Sequence, residues 1–274
     1  MKKTRLARTL ILVLMGASAV FFLITLIVSG FDWKGLFGFL SVLFGGAILL
    51  LRLQPKPKHP LPFYEKLYAR ELEDAFSYAP PLRQLLIAAA AFYGENREEQ
   101  ALNLLKKLRM RAETEEDLRA VLFFAALSLA DIGETDVAID VYLQFLQCKP
   151  DNVRRAQVYS NLALLYERKG DDEEALSYLE GAVLIDQKNV YAKNNLAQLL
   201  FRRHDIERAK RYAMEAVELQ KDFYQAASLA AVIAAVEGDL VAKDEYTRIA
   251  IESGQDALSL DAAIQRALKE EAKA

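Results

Sequence analysis

AQVYSNLALLYERKGDDEEALSYLEGAVLIDQ, residues Ala156–Gln187, carries two helical patterns separated by Gly170. Before the glycine, Leu162-Ala163 and Tyr166 fall on one side of a helix. After it, Ala175, Leu179 and Ala182 follow at spacings of four and three, which keeps them on one helical face. The stretch therefore predicts two short helices that pack through small residues.

The pattern recurs about every 34 positions, and an internal period takes precedence over any single-element reading. Gly133, Gly170 and Gly238 each end a helix, with His204 or Asp205 at the corresponding place. The second helices carry Ala101, Ala138, Ala175 and Ala209, then Leu105, Tyr142, Leu179 and Ala213, then Leu108, Phe145, Ala182 and Ala216. The first helices carry Ala88-Ala89, Ala125-Ala126, Leu162-Ala163, Leu196-Ala197 and Ala230-Ala231. Small residues at such pairs allow axes to approach to about 8–10 Å.

With these residues in view, residues 82–257 resemble a tetratricopeptide repeat (TPR) array of about five copies: 82–115, 119–152, 156–189, 190–223 and 224–257. The central copies carry the match, including Tyr166 and the terminal Pro150. In the first copy Asn96 stands for the glycine, and Asn tolerates the left-handed turn. In the last, Lys243 stands at the usual alanine position and Ala242 precedes it, which suggests either a shifted helix or a stretch that is not a true copy. The resemblance implies an all-α solenoid of antiparallel helix pairs. Residues 259–272 read as a closing helix, with Leu260, Ala263, Ile264, Ala267 and Leu268 covering the last repeat.

The N-terminal part reads differently. Leu10–Ser29 and Gly35–Leu51 are uncharged runs of 20 and 17 residues. Runs of that length can cross a hydrocarbon core of about 30 Å. The expectation for 1–53 is a transmembrane hairpin that contacts the lipid bilayer through residues 10–51. A cleaved signal peptide fits less well, because its apolar region is shorter and its small residues follow the run. Lys2, Lys3, Arg5 and Arg8 precede the first run, and Arg52, Lys56 and Lys58 follow the second. Positive flanks stay on the cytoplasmic side, so the expected location is the cell membrane with both termini cytoplasmic.

Four prolines in residues 54–62 predict a stiff linker. Residues 63–78 predict an amphipathic helix with Tyr64, Tyr68, Leu72 and Phe76 as an i, i+4 ridge.

Residues 1–59 hold eight of the 35 basic and one of the 38 acidic residues, so 60–274 carry 27 basic and 37 acidic, a net of −10. An acidic domain argues against nucleic acid as a partner. The single cysteine, Cys148, forms no framework and reads as packing. His204, at a helix end, is expected to cap carbonyls. Glu113–Asp117 reads as a solvated helix start. No phosphate loop, metal motif or nucleophile elbow occurs. The reading is a non-enzyme with no cofactor and no small-molecule substrate.

The resemblance places a ligand groove along the first helices. In the middle copies its inward positions are Ser160, Asn161, Leu164 and Arg168, then Tyr191, Asn194, Asn195, Gln198 and Arg202. Asn161 and Asn195 match places where many such arrays hold a partner's peptide backbone, and amides can donate and accept at once. The same positions in earlier copies are apolar: Leu86, Ile87 and Ala90, then Phe123, Phe124 and Leu127. Such a surface is filled either by residues 63–78 or by a partner. The family's basic clamp for a C-terminal carboxylate is incomplete here. The expected function is a membrane-anchored scaffold whose groove binds a protein or peptide segment. The alternative is an accessory subunit of a membrane complex, of the translocase or envelope-synthesis type, held mainly through its transmembrane hairpin.

Overall fold

The computed structural model describes residues 61–272 and, before them, only Ser18, Ala19 and Leu40. Apart from those three positions, the expected spans at 10–29 and 35–51 lie outside the described residues, as do linker residues 54–60. Among the described residues no helix is long and apolar enough to cross a membrane. The chain divides into two compact units between Pro60 and Leu61.

The second unit is a row of helices with no strand among the described residues. We number them α1 (Leu61–Glu71), α2 (Pro80–Gly94), α3 (Glu98–Arg109), α4 (Glu115–Ile132), α5 (Thr135–Gln147), α6 (Asn152–Lys169), α7 (Asp172–Ile185), α8 (Val190–Arg202), α9 (Ile206–Leu219), α10 (Tyr224–Val236), α11 (Leu240–Glu252) and α12 (Ala257–Glu271). Helices α2 to α11 form five packed pairs, and each pair stacks on the next. This is the all-α solenoid of antiparallel helix pairs that the family resemblance implies.

Local chemistry sets each hairpin. Gly133, Gly170 and Gly238 end α4, α6 and α10 with φ of 89°, 82° and 76°. Asn96 and His204 take the same left-handed turn with φ of 58° and 59°. One residue further on, Asp171, Asp205 and Asp239 cap the following helices by accepting the backbone N–H of Glu174, Arg208 and Ala242. A cap of this kind is worth about 1 kcal/mol.

Ala101, Ala138, Ala175 and Ala209 are fully buried, as are the residues four and seven positions beyond them. The fifth copy keeps this register. Lys243 and Thr247 take the first two places and Ala250 the third, where it is fully buried. The helix is not shifted; it is under-packed. The Thr247 hydroxyl is buried without a partner, and a gap of about 250 Å³ opens among Met214, Ala230, Ala234 and Tyr246.

Two apolar clusters fill the solenoid. One runs from Leu72 to Leu165 and the other from Ala163 to Ala267. They meet on α6, where Tyr166 packs against both and stacks on Tyr178 of α7 at 5.4 Å. The closing helix is present as α12. Leu260, Ile264 and Ala267 are buried, whereas Ala263 and Leu268 are exposed.

The expected helix over 63–78 is shorter than its ridge. Helix α1 ends at Glu71 and starts at Leu61, so Pro62 lies in its first turn, where a missing N–H costs nothing. Beyond Glu71 the chain turns, and Phe76 adopts φ 52°. Tyr64, Leu72 and Phe76 are nevertheless buried and Tyr68 is half-buried. The ridge stays continuous through a change of backbone conformation.

Candidate functional site

The face lined by the first helices, α2, α4, α6, α8 and α10, divides into a filled half and an open half. In the filled half, Leu86, Ile87, Phe123 and Phe124 are buried and Leu127 is half-buried. Their cover is the chain's own segment 61–78. Tyr64 lies over Gly94 so closely that a Cβ there would sit 2.4 Å from its ring. Tyr68 meets Phe124 edge to face at 5.2 Å. Leu72, Ala75 and Phe76 join the same apolar cluster. Of the two occupants open from the sequence, the structure shows residues 61–78.

Asp117 fixes the end of this segment. Its carboxylate accepts the Phe76 N–H at 2.6 Å and the Tyr78 hydroxyl at 2.8 Å. It also accepts the N–H groups of Glu113 and Thr114, while the Thr114 hydroxyl accepts the Asp117 N–H and completes a capping box. Burial raises the proton affinity of this carboxyl. The hydrogen bonds from Phe76, Tyr78, Thr114 and Glu113 outweigh that effect and hold it below the usual range. The acidic run 113–117 is therefore more than a solvated helix start, because its last member is fully buried. Sequence reasoning missed Asp117, although the Thr-x-x-Asp spacing at 114–117 is a capping signal.

Arg154 marks the border between the halves. It pairs with Glu71 and lies over the Phe123 ring at 4.6 Å. Beyond it, α6 and α8 flank an open groove of about 570 Å³. Gln157, Asn161, Leu164, Tyr191 and Asn195 line it, with Asp186 and Lys188 at one edge. Tyr191 is 62% exposed and is braced edge to face by Phe223 at 5.1 Å.

The structure separates the predicted residues into groups. Asn161, Leu164, Tyr191 and Asn195 come together in the open groove, and Gln198 is exposed one turn beyond Asn195. The Asn161 amide also donates to the Tyr142 hydroxyl at 3.0 Å, so it ties the groove to the core. Burial pushes the Tyr142 phenol well above its ordinary value. Asn194 does not reach the groove. It is 3% exposed, and its side-chain oxygen has no partner. Its equivalents Leu86, Phe123 and Ser160 are also buried, although Ser160 still contributes to the groove lining.

Arg168 and Arg202 are exposed but engaged. Arg168 donates to the Ala130 carbonyl at 2.9 Å and Arg202 pairs with Glu167 at 2.6 Å. Neither belongs to the groove lining. His204 caps no carbonyl through its ring; Nδ1 lies 3.9 Å from Glu271. Among the described residues no cluster of His, Cys, Asp or Glu suits a metal ion.

Stacked helix pairs with one groove left open define a helical-repeat protein of the solenoid class. Residues 113–228 match the family model described as the SusR N-terminal TPR domain. No curated protein matches the chain. YrrB, described as a TPR protein with an unusual peptide-binding site, superposes with a TM-score of 0.52 over 74% of this chain and 97% of its own, at 17% identity. BtubC from P. vanneervenii gives 0.52 over 73% and 94%, at 20% identity. MamA, residues 41 to the end, from Desulfovibrio magneticus RS-1 gives 0.53 over 64% and 97%, at 17% identity. At these identities the likeness speaks for the fold. The family match covers 113–228, and the fold of the unit around it is that of a tetratricopeptide-type helical repeat.

Proposed function

We propose that this protein is a membrane-anchored interaction scaffold. Residues 10–51 cross the bilayer twice, both termini lie in the cytoplasm, and the groove between α6 and α8 binds a protein segment in extended form. The observation that carries the reading is the contrast along one face. The chain fills the apolar half itself and leaves the amide-lined half open. Two side-chain amides and a braced tyrosine suit a peptide backbone better than a charged metabolite. The peptide-binding site ascribed to YrrB supports the same ligand class. Anchoring confines scaffold and partner to one surface and raises their effective concentration.

Capture by the full-length chain from solubilised membranes tests the groove. Tyr191→Ala with Asn195→Ala is expected to lower recovery of the partner by tenfold or more, about 1.4 kcal/mol or above. Unchanged recovery rejects the groove. Exchange of residues 1–53 for an unrelated two-span anchor addresses the hairpin reading. Binding that survives the exchange counts against attachment through the hairpin.

A further inference from the structure

The outer face of α1 has no role in filling the groove. Tyr64 and Tyr68 point inward, whereas Phe63, Lys66, Leu67 and Arg70 follow at i, i+3, i+4 and i+7 on the opposite side. Leu67 is 52% exposed, Phe63 is 45% exposed, and both basic residues are exposed. Helix α1 carries two acids: Glu71 is paired with Arg154, and Glu65 is half-buried. From residue 52 to 70 the chain has five basic residues, Arg52, Lys56, Lys58, Lys66 and Arg70, against Glu65 alone. This basic and apolar strip sits on a unit whose net charge is otherwise strongly negative. It begins directly after the two uncharged runs of 20 and 17 residues.

We propose that the outer face of α1 lies on the bilayer surface, with Leu67 and Phe63 in the headgroup–acyl boundary and Lys66 and Arg70 against anionic lipid. This rests on the membrane-anchored reading of residues 10–51. The occupant is lipid rather than protein for two reasons. The charge is positive while the rest of the unit is acidic, and the second uncharged run ends at Leu51, nine residues before α1 begins. A short apolar strip with flanking basic residues is the pattern of an interfacial helix. Each Lys or Arg near an anionic surface adds about fivefold to the docked population.

The test uses the full-length chain with Cys148→Ser and Leu67→Cys, labelled with an environment-sensitive fluorophore. It is reconstituted into vesicles of phosphatidylcholine and phosphatidylglycerol at about 3:1, with a spin-labelled lipid as quencher. A second sample carries the label at Leu184→Cys, an exposed site on α7. The label at 67 is expected to be quenched and the label at 184 not. Lys66→Glu with Arg70→Glu is expected to cut the docked-to-free ratio by about fivefold for each basic charge removed. An alkaline wash separates the two readings. Protein that stays with the vesicles but leaves position 67 unquenched keeps the anchor and overturns the surface contact. Protein stripped by alkali yet quenched at 67 before the wash overturns the anchor and keeps the contact. A label shielded from water without quenching by lipid means a protein or second copy covers this face, and the proposal fails.

Discussion

The faces of the first two and the next two copies occupy the same positions in the repeat and differ in what they hold. Positions 87 and 124 are Ile and Phe, and segment 61–78 lies on them. Positions 161 and 195 are both Asn, and the space before them is open. An apolar inner face left in water is costly by about 25 cal/mol for each Å², so a chain that carries one must cover it. An amide face is solvated and can wait for a ligand. The side chain at one register position thus decides whether that stretch of the solenoid is structural or available.

The largest way to break this contrast is at Asp117. Asp117→Ala leaves the Phe76 N–H, the Tyr78 hydroxyl and the start of α4 without an acceptor. A loss of about 3–5 kcal/mol is expected in denaturant unfolding. Acid should do the same more gradually. The folded carboxyl binds its proton less readily than the unfolded one, so its contribution is complete above the ordinary carboxylate range. It is lost as pH falls through the lower folded value. Stability measured from about pH 7 down to about pH 3 should fall less steeply in Asp117→Asn than in the native chain.

Gly94→Ala comes next. The new Cβ would meet the Tyr64 ring at 2.4 Å, a clash worth about 1–3 kcal/mol. It offsets a helix-propensity gain of up to about 1 kcal/mol. Limited proteolysis should then cut within 61–72 while α6 to α12 stay protected. Asn161→Ala should cost about 1 kcal/mol, because the buried Tyr142 hydroxyl loses its partner. Asn195→Ala should cost less than about 0.5 kcal/mol. Both should weaken peptide capture, which separates stability from binding in one pair of variants. Glu71→Gln is mild as well. The Glu71–Arg154 pair is about one-third exposed, at 33% and 31%, and its loss should change stability by no more than about 1 kcal/mol.

Much of this was legible in the sequence because a repeat states its core several times. The alanines at 101, 138, 175 and 209 are a periodic pattern that no single element could hide. The division of the groove was also visible, as Phe123-Phe124 against Asn161 and Asn195. What did not show was which side of a shared helical face is covered. Asn194 and Asn195 are adjacent amides, and the face that α8 turns to its neighbours decides between burial and exposure. Asp117 was hidden for the opposite reason. An acid in an acidic run reads as solvent-facing until the chain 41 residues earlier is seen to fold back onto it. The turn at Phe76 has the same cause, since long-range hydrogen bonds override the local helical pattern of 63–78.

A photoreactive phenylalanine at position 124 and, separately, at position 191 tests the contrast most directly. The full-length protein would carry it in intact cells, and the crosslinked peptides would be mapped by mass spectrometry. The account predicts that position 124 crosslinks within the same chain, to residues 61–78. Position 191 should crosslink to a segment of another protein, and that product should weaken with Asn195→Ala. Capture of another protein at position 124, with residues 61–78 unlabelled, would contradict it.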